Sequence, residues 1–180
     1  VLAAMAIAVG GCQRDPLGGI VTARNAKAFA SWRAHIASDS NAETRRRVDE
    51  ALLEIRLKAS HERETKRAAG ERVTAGAESI DEAVCERING RPLREVVQLG
   101  YELRERRLGM ELAALEDAMN QNAQLVTRPG DTASKHHLEG VRDRQMARVE
   151  TYRADIAAAG RELAPLLQAS GRRLLPPPAE

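Results

Sequence analysis

Apolar residues recur along this chain at helical spacing, in stripes separated by breakers and capping signals. The first stripe is Phe29, Trp32 and Ile36, which predicts a helix from Thr22 to Ser38. Ser40-Asn41-Ala42-Glu43 then has the form of a capping box, with a hydroxyl to accept the Glu43 amide and a carboxylate to reach back. It opens a second helix towards Ala69 whose inner edge is Val48, Leu52, Ile55 and Ala59. Gly70 to Gly76 reads as a loop. A second capping box, Ser79-Ile80-Asp81-Glu82, predicts a short helix carrying Ile80, Val84 and Ile88 in line, stopped at Asn89-Gly90.

The C-terminal half has the longest periodic pattern. Pro92 suits the first position of a helix, where a missing N–H costs nothing. From there Leu93, Val97, Tyr101, Leu108, Leu112, Leu115, Met119, Asn122 and Val126 form a coiled-coil-like seam over residues 92–126. Arg128-Pro129-Gly130-Asp131 has turn chemistry, and Asp131 or Ser134 is placed to cap a final helix. Its seam, over residues 133–168, is Leu138, Val141, Gln145, Val149, Tyr152, Ile156, Ala159, Leu163 and Leu167, with Pro165 expected to kink or end it. A reversal centred on Gly130 sets Asn122 against Leu138, Met119 against Val141, Leu108 against Tyr152 and Val97 against Leu163. The expected fold class is therefore all-α: an elongated helical bundle built on a long antiparallel C-terminal hairpin, with two or three shorter N-terminal helices. At about 1.5 Å per residue each arm would run roughly 45–50 Å. Polar seam residues (Asn122, Gln145, Arg104) either fix the register or mark half-exposed layers.

Composition supports a thin bundle over a thick core. Alanine supplies much of the 43% hydrophobic fraction, and the chain has one Phe, one Trp and two Tyr. Alanine buries little area, and buried area sets the hydrophobic gain. Twenty-eight basic and 26 acidic residues are interleaved, as in Glu62-Arg63-Glu64, which is the pattern of a solvated helix face rather than a polyanion-binding one.

The first residues follow a different pattern. Val1 to Val9 are apolar and uncharged, Gly10-Gly11-Cys12 follow, and polarity returns at Gln13-Arg14-Asp15. The run is shorter than the roughly 20 apolar residues a membrane span needs, and it has the form of the apolar region of an export signal. Val9-Gly10-Gly11-Cys12 resembles the lipobox of bacterial lipoproteins, with Gly10 its one departure from the usual pattern. That resemblance implies cleavage before Cys12, acylation of its thiol and new amino group, and anchoring in the cell envelope facing the periplasm. Gln13, in place of the Asp that retains such proteins at the inner membrane, implies the outer membrane. On this reading residues 1–11 are the remnant of a signal that begins upstream. Residues 12–21, with Pro16, Gly18 and Gly19, form a lipidated tether, residues 22–170 form one helical domain, and residues 171–180 form a Pro-rich tail.

Candidate chemistry is sparse. His136 and His137 point about 100° apart on a helix, so no metal is expected, and none is expected elsewhere. Cys85 has no recognisable base beside it and reads as a small buried hydrophobe, with an intermolecular disulfide as the alternative. Gly18-Gly19 and Gly100 form no phosphate loop. Residues 80–107 have a helix–turn–helix outline, but the second helix is too long and carries Glu95, Glu102 and Glu105. The expectation is a non-enzymatic envelope lipoprotein with no cofactor and no nucleic acid, a scaffold, adaptor or periplasmic chaperone acting through helix–helix contacts. Its expected partners are the membrane, through the anchor at Cys12, and a protein. The turn residues Leu125, Arg128, Pro129, Gly130 and Asp131 are the expected contact tip. The alternatives are an enzyme or ligand carrier whose site no motif reveals and, behind it, a helix-turn-helix DNA binder.

Overall fold

The computed structural model describes residues 15, 17–72, 77–124 and 131–171. They form five helices: α1 (Ala26–Asp39), α2 (Ala42–Ala68), α3 (Ala77–Ile88), α4 (Leu93–Ala123) and α5 (Thr132–Ala169). The protein is all-α, and its C-terminal helices pack as a hairpin. α4 is the central element, with α5 along one side and α2 along another; α3 packs on α2, and α1 on α3. Among the described residues no helix is long and apolar enough to cross a membrane.

The helix starts differ from the sequence expectation in instructive ways. Ser40 does not cap α2; it closes α1, giving its N–H to the Ile36 carbonyl at 3.1 Å. Asn41, one residue on, accepts from the Thr44 amide at 2.8 Å and is the cap. Glu43 is thereby released from the box and pairs with Arg46 and Arg47. α3 begins at Ala77, so Ser79 lies inside its first turn rather than at its cap. Asp131, not Ser134, caps α5, accepting the Ser134 amide at 3.0 Å. Pro165 does not end α5, which runs one more turn to Ala169 with Leu166 and Leu167 buried against the core.

The stretch expected to be a tether is part of the fold from Leu17 onward. Leu17, Val21 and Ala23 are buried. Val21 exchanges backbone hydrogen bonds with the α3–α4 corner: its N–H goes to the Arg91 carbonyl, and its carbonyl accepts from Gly90, both at 2.9 Å. Ala23 donates to Asn89 Oδ1 at 2.9 Å. These bonds hold residues 21–23 outside any helix, and α1 starts at Ala26 rather than Thr22. The same segment caps α4. Pro92 occupies the cap position without a side-chain bond. The first two helical amides, Leu93 and Arg94, instead donate to the carbonyls of Gly19 at 2.7 Å and Leu17 at 3.1 Å. Two of the four N–H groups that a helix start leaves unpaired are thus satisfied by chain more than 70 residues earlier. Gly90, at φ +76°, makes the turn between α3 and α4 that this docking needs.

α2 and α4 approach closely where two small residues meet. A Cβ on Gly100 would lie 2.3 Å from the Ala51 Cα, so only glycine permits this spacing. Around that crossing lie Ile55, Val96, Val97 and Tyr101, each almost fully buried. On the other side α5 contributes Ala159, Leu163, Leu166 and Leu167.

The two hairpin seams meet as expected, but in a displaced register. Ser170 Oγ donates to Gln98 Oε1, Gly160 lies beside the Glu105 carboxylate, Arg153 pairs with Glu116 and Asn122 donates to Gln145. Each α5 partner lies five to nine residues beyond the position that a reversal at Gly130 assigns it. α4 ends at Ala123 and α5 begins at Thr132, and most of the expected turn between them lies outside the described residues. A slip near one heptad returns the same stripe to the interface, so the seam survives while its pairing moves.

Candidate functional site

The residues singled out in the sequence fall into three groups. Cys12 and the turn residues Leu125, Arg128, Pro129 and Gly130 lie outside the described residues. Asp131 is exposed and is occupied as a helix cap; the Ser134 amide it accepts holds its carboxyl below the usual range. His136 and His137 are exposed on the second turn of α5, and His136 Nδ1 stands 3.3 Å from a Glu139 carboxylate oxygen. No group of three metal-ligating side chains occurs among the described residues. Cys85 is a free thiol buried in the core, where burial and then the nearby Asp81 carboxylate push its pKa up, disfavouring the thiolate.

Two features went unread in the sequence. The first is an ion-pair network that joins α2, α4 and α5. Glu50 Oε2 accepts from the Tyr101 hydroxyl at 2.9 Å and from Arg104 Nη1 at 3.1 Å. Its other oxygen accepts from Arg46 at 2.8 Å, and Arg46 reaches across to Glu162 on α5 at 2.7 Å. Arg47 holds the second Glu162 oxygen at 3.0 Å. Further along α2, buried Glu54 takes a two-pronged contact from Arg107 at 2.7 and 2.9 Å. Hydrogen bonds to Glu43, Glu162 and Glu50 raise the Arg46 pKa above its already high ordinary value. Burial, then the bond to Glu50, raises that of the Tyr101 phenol. Each carboxylate of the network is engaged by a guanidinium, which suits a clamp between helices and leaves none poised to take a substrate proton.

The second feature is the far arm of the hairpin. Between Leu108 and Ala123 on α4, and between Thr132 and Arg148 on α5, no described side chain beyond Leu108 itself is buried. Leu112, Leu115 and Met119 on α4 and Leu138 and Val141 on α5 are each half-exposed, and Asn122 meets Gln145 at a long 3.4 Å. Met110 is 67% exposed and Met146 51%. Two shallow grooves run between the helices here, one floored by Met119, Met146 and Val149, the other by Ala123 and Leu138. Charge is unevenly spread between the two helices. After Leu108, α4 carries Glu111, Glu116 and Asp117 and no basic residue, while α5 up to Arg153 is mixed, with Lys135, Arg142, Arg144, Arg148 and Arg153 beside Glu139, Asp143 and Glu150. Sequence reading found the seam, but it took the interleaved charges of the whole chain as uniform.

No family model matches the chain, and no curated protein or solved structure matches it.

Proposed function

We propose that this protein is a lipid-anchored protein of the bacterial envelope that works without catalysis, as a scaffold, adaptor or chaperone holding a partner by helix–helix contact. The reading of the anchor rests on the lipobox-like Val9-Gly10-Gly11-Cys12. The reading of the activity is carried by one observation: the far arm keeps a coiled-coil seam in which, among the described residues, no third helix covers Leu112, Leu115 or Met119. A two-helix seam leaves apolar side chains half-wet, and each would gain by further burial against a partner. The adjoining methionines are polarisable and unbranched, which suits a surface that adapts to more than one helix. The grooves are open and floored by only a few side chains, unlike the enclosing pockets that hold small molecules.

Both halves are testable. Metabolic labelling with a palmitate analogue should mark the full precursor and fail on Cys12→Ala; label persisting in that variant removes the lipoprotein reading. A photo-crosslinking residue at Met119 or Met146 should yield a discrete protein adduct in membranes, absent when the probe sits at Glu64 on the outer face of α2. Equal labelling from all three positions would defeat the arm as the contact surface.

A further inference from the structure

The docked segment 17–23 fixes where an anchor at Cys12 would leave the molecule. Asp15 pairs with Arg94 at the start of α4, and Leu17 and Gly19 cap that helix. Cys12 precedes Asp15 by three residues, which span at most about 11 Å. An acylated Cys12 therefore holds the α3–α4 corner close against the bilayer. The side chains at that corner are basic. Arg91 follows Gly90 in the turn, and its carbonyl binds Val21; Arg24 follows Ala23, which binds Asn89; Lys27 lies in the first turn of α1. All three are exposed, and among the described residues none has an ion-pair partner. The acidic residues near by are Asp15, already paired, Glu86 in the last turn of α3 and Glu95 in the first turn of α4.

We propose that this corner is a second membrane contact, an electrostatic foot in which Arg24, Lys27 and Arg91 bind anionic phospholipid headgroups. It rests on the lipoprotein reading for its place beside the bilayer, yet it acts without the acyl chains. Basic residues at an anionic surface attract it independently of sequence, with a strength that salt weakens. Anchor and foot together orient the molecule: α4 rises from the foot, and its 31 residues carry the uncovered arm about 45 Å from the membrane. The contact surface is thus presented away from the lipid that would otherwise compete for its exposed methionines.

The test uses the full chain carrying Cys12→Ala, so that no acyl group contributes. It should co-sediment at low salt with vesicles of phosphatidylcholine and phosphatidylglycerol in equal parts, and not with phosphatidylcholine alone. Replacing Arg24, Lys27 and Arg91 by Glu should weaken the binding by at least about fivefold per position. The same charge change at the far end, Lys135→Glu, Arg142→Glu and Arg144→Glu, should leave most of it. Circular dichroism confirms that both variants stay helical, as six exposed positions without ion pairs should allow. Failure of the parent chain to bind the anionic vesicles, or equal losses in the two variants, overturns the foot. Palmitate labelling of the native sequence decides the anchor separately, so either can fail without the other.

Discussion

α4 is one continuous helix in two environments, and the contrast shows what makes a stripe of leucines into a core. From Leu93 to Leu108 it is flanked by α2 and α5, and Val96, Val97 and Tyr101 are each at most 1% exposed. From Gly109 to Ala123 the same periodicity continues, yet no residue is buried. The difference is a third helix. Two cylinders touch along one line, so a pair buries only the side chains on that line; a third closes the flank and excludes water. Each residue moved from half-exposed to buried gains up to about 1–2 kcal/mol. The near part of the hairpin is therefore the well-packed body, and the far arm is the part whose apolar side chains stay half-exposed among the described residues.

Glycine substitutions should separate the two most widely. Gly100→Ala forces a methyl against the Ala51 backbone and should cost about 3 kcal/mol, read as a fall in Tm or urea midpoint. Gly109→Ala, with nothing within 4 Å of the added carbon, should instead stabilise by about 1 kcal/mol through helix propensity. If both changes act in the same direction, the division of α4 is wrong. Leucine truncation gives the next contrast. Leu163→Ala, at 3% exposure, should cost about 3 kcal/mol, and Leu138→Ala in the half-wet seam about 1 kcal/mol. Similar costs would mean that the arm is as well packed as the body.

Tyr101→Phe removes the phenol that ties α4 to Glu50 and should cost about 1.5 kcal/mol near neutral pH. Its effect has a pH signature. The folded phenol has a raised pKa, whereas the unfolded chain ionises at the ordinary value of 10.0. Above that pH the unfolded state binds fewer protons than the folded one, so stability falls as pH rises. The parent protein should lose stability above about pH 10 faster than the Phe variant, and parallel curves would remove Tyr101 from the clamp. The smallest effect on stability belongs to the arm's surface: Met146→Glu should shift it by no more than about 0.5 kcal/mol while reducing crosslinking to a partner. A large loss of stability would make Met146 a packing residue rather than a contact.

Periodicity made the helices and the hairpin legible, because burial of one face leaves the same 3.6-residue signature whatever packs on it. It could not give the register. Moving Gln145 opposite Asn122, in place of Leu138, is a slip of one heptad and presents the same seam residues. The docked segment was hidden for another reason. Pro16, Gly18 and Gly19 are what a tether would contain, and what Leu17 and Val21 bind, the Arg94 amide and the Gly90–Arg91 turn, is remote in sequence. Glu50 and Arg104 were likewise unreadable as partners, since nothing local marks one Glu–Arg pair among so many. The hints lay in Gly100, whose place in a long helix calls for a close neighbour, and in Leu17 and Val21, too apolar for free linker.

The capping of α4 by Leu17 and Gly19 also orders events as the chain forms. Residues 17–23 appear early, but the amides and side chain they bind belong to residues 89–94. Closing a loop of that length costs entropy that no local contact repays, so the pairing belongs late in folding. Until α3 and the first turn of α4 exist, Leu17, Val21 and Ala23 have no native place to bury themselves. When the corner does form, a segment made some 70 residues earlier is the one that locks it. A chain released before residue 94 would therefore leave this apolar segment exposed, and formation of the first turn of α4 is what withdraws it.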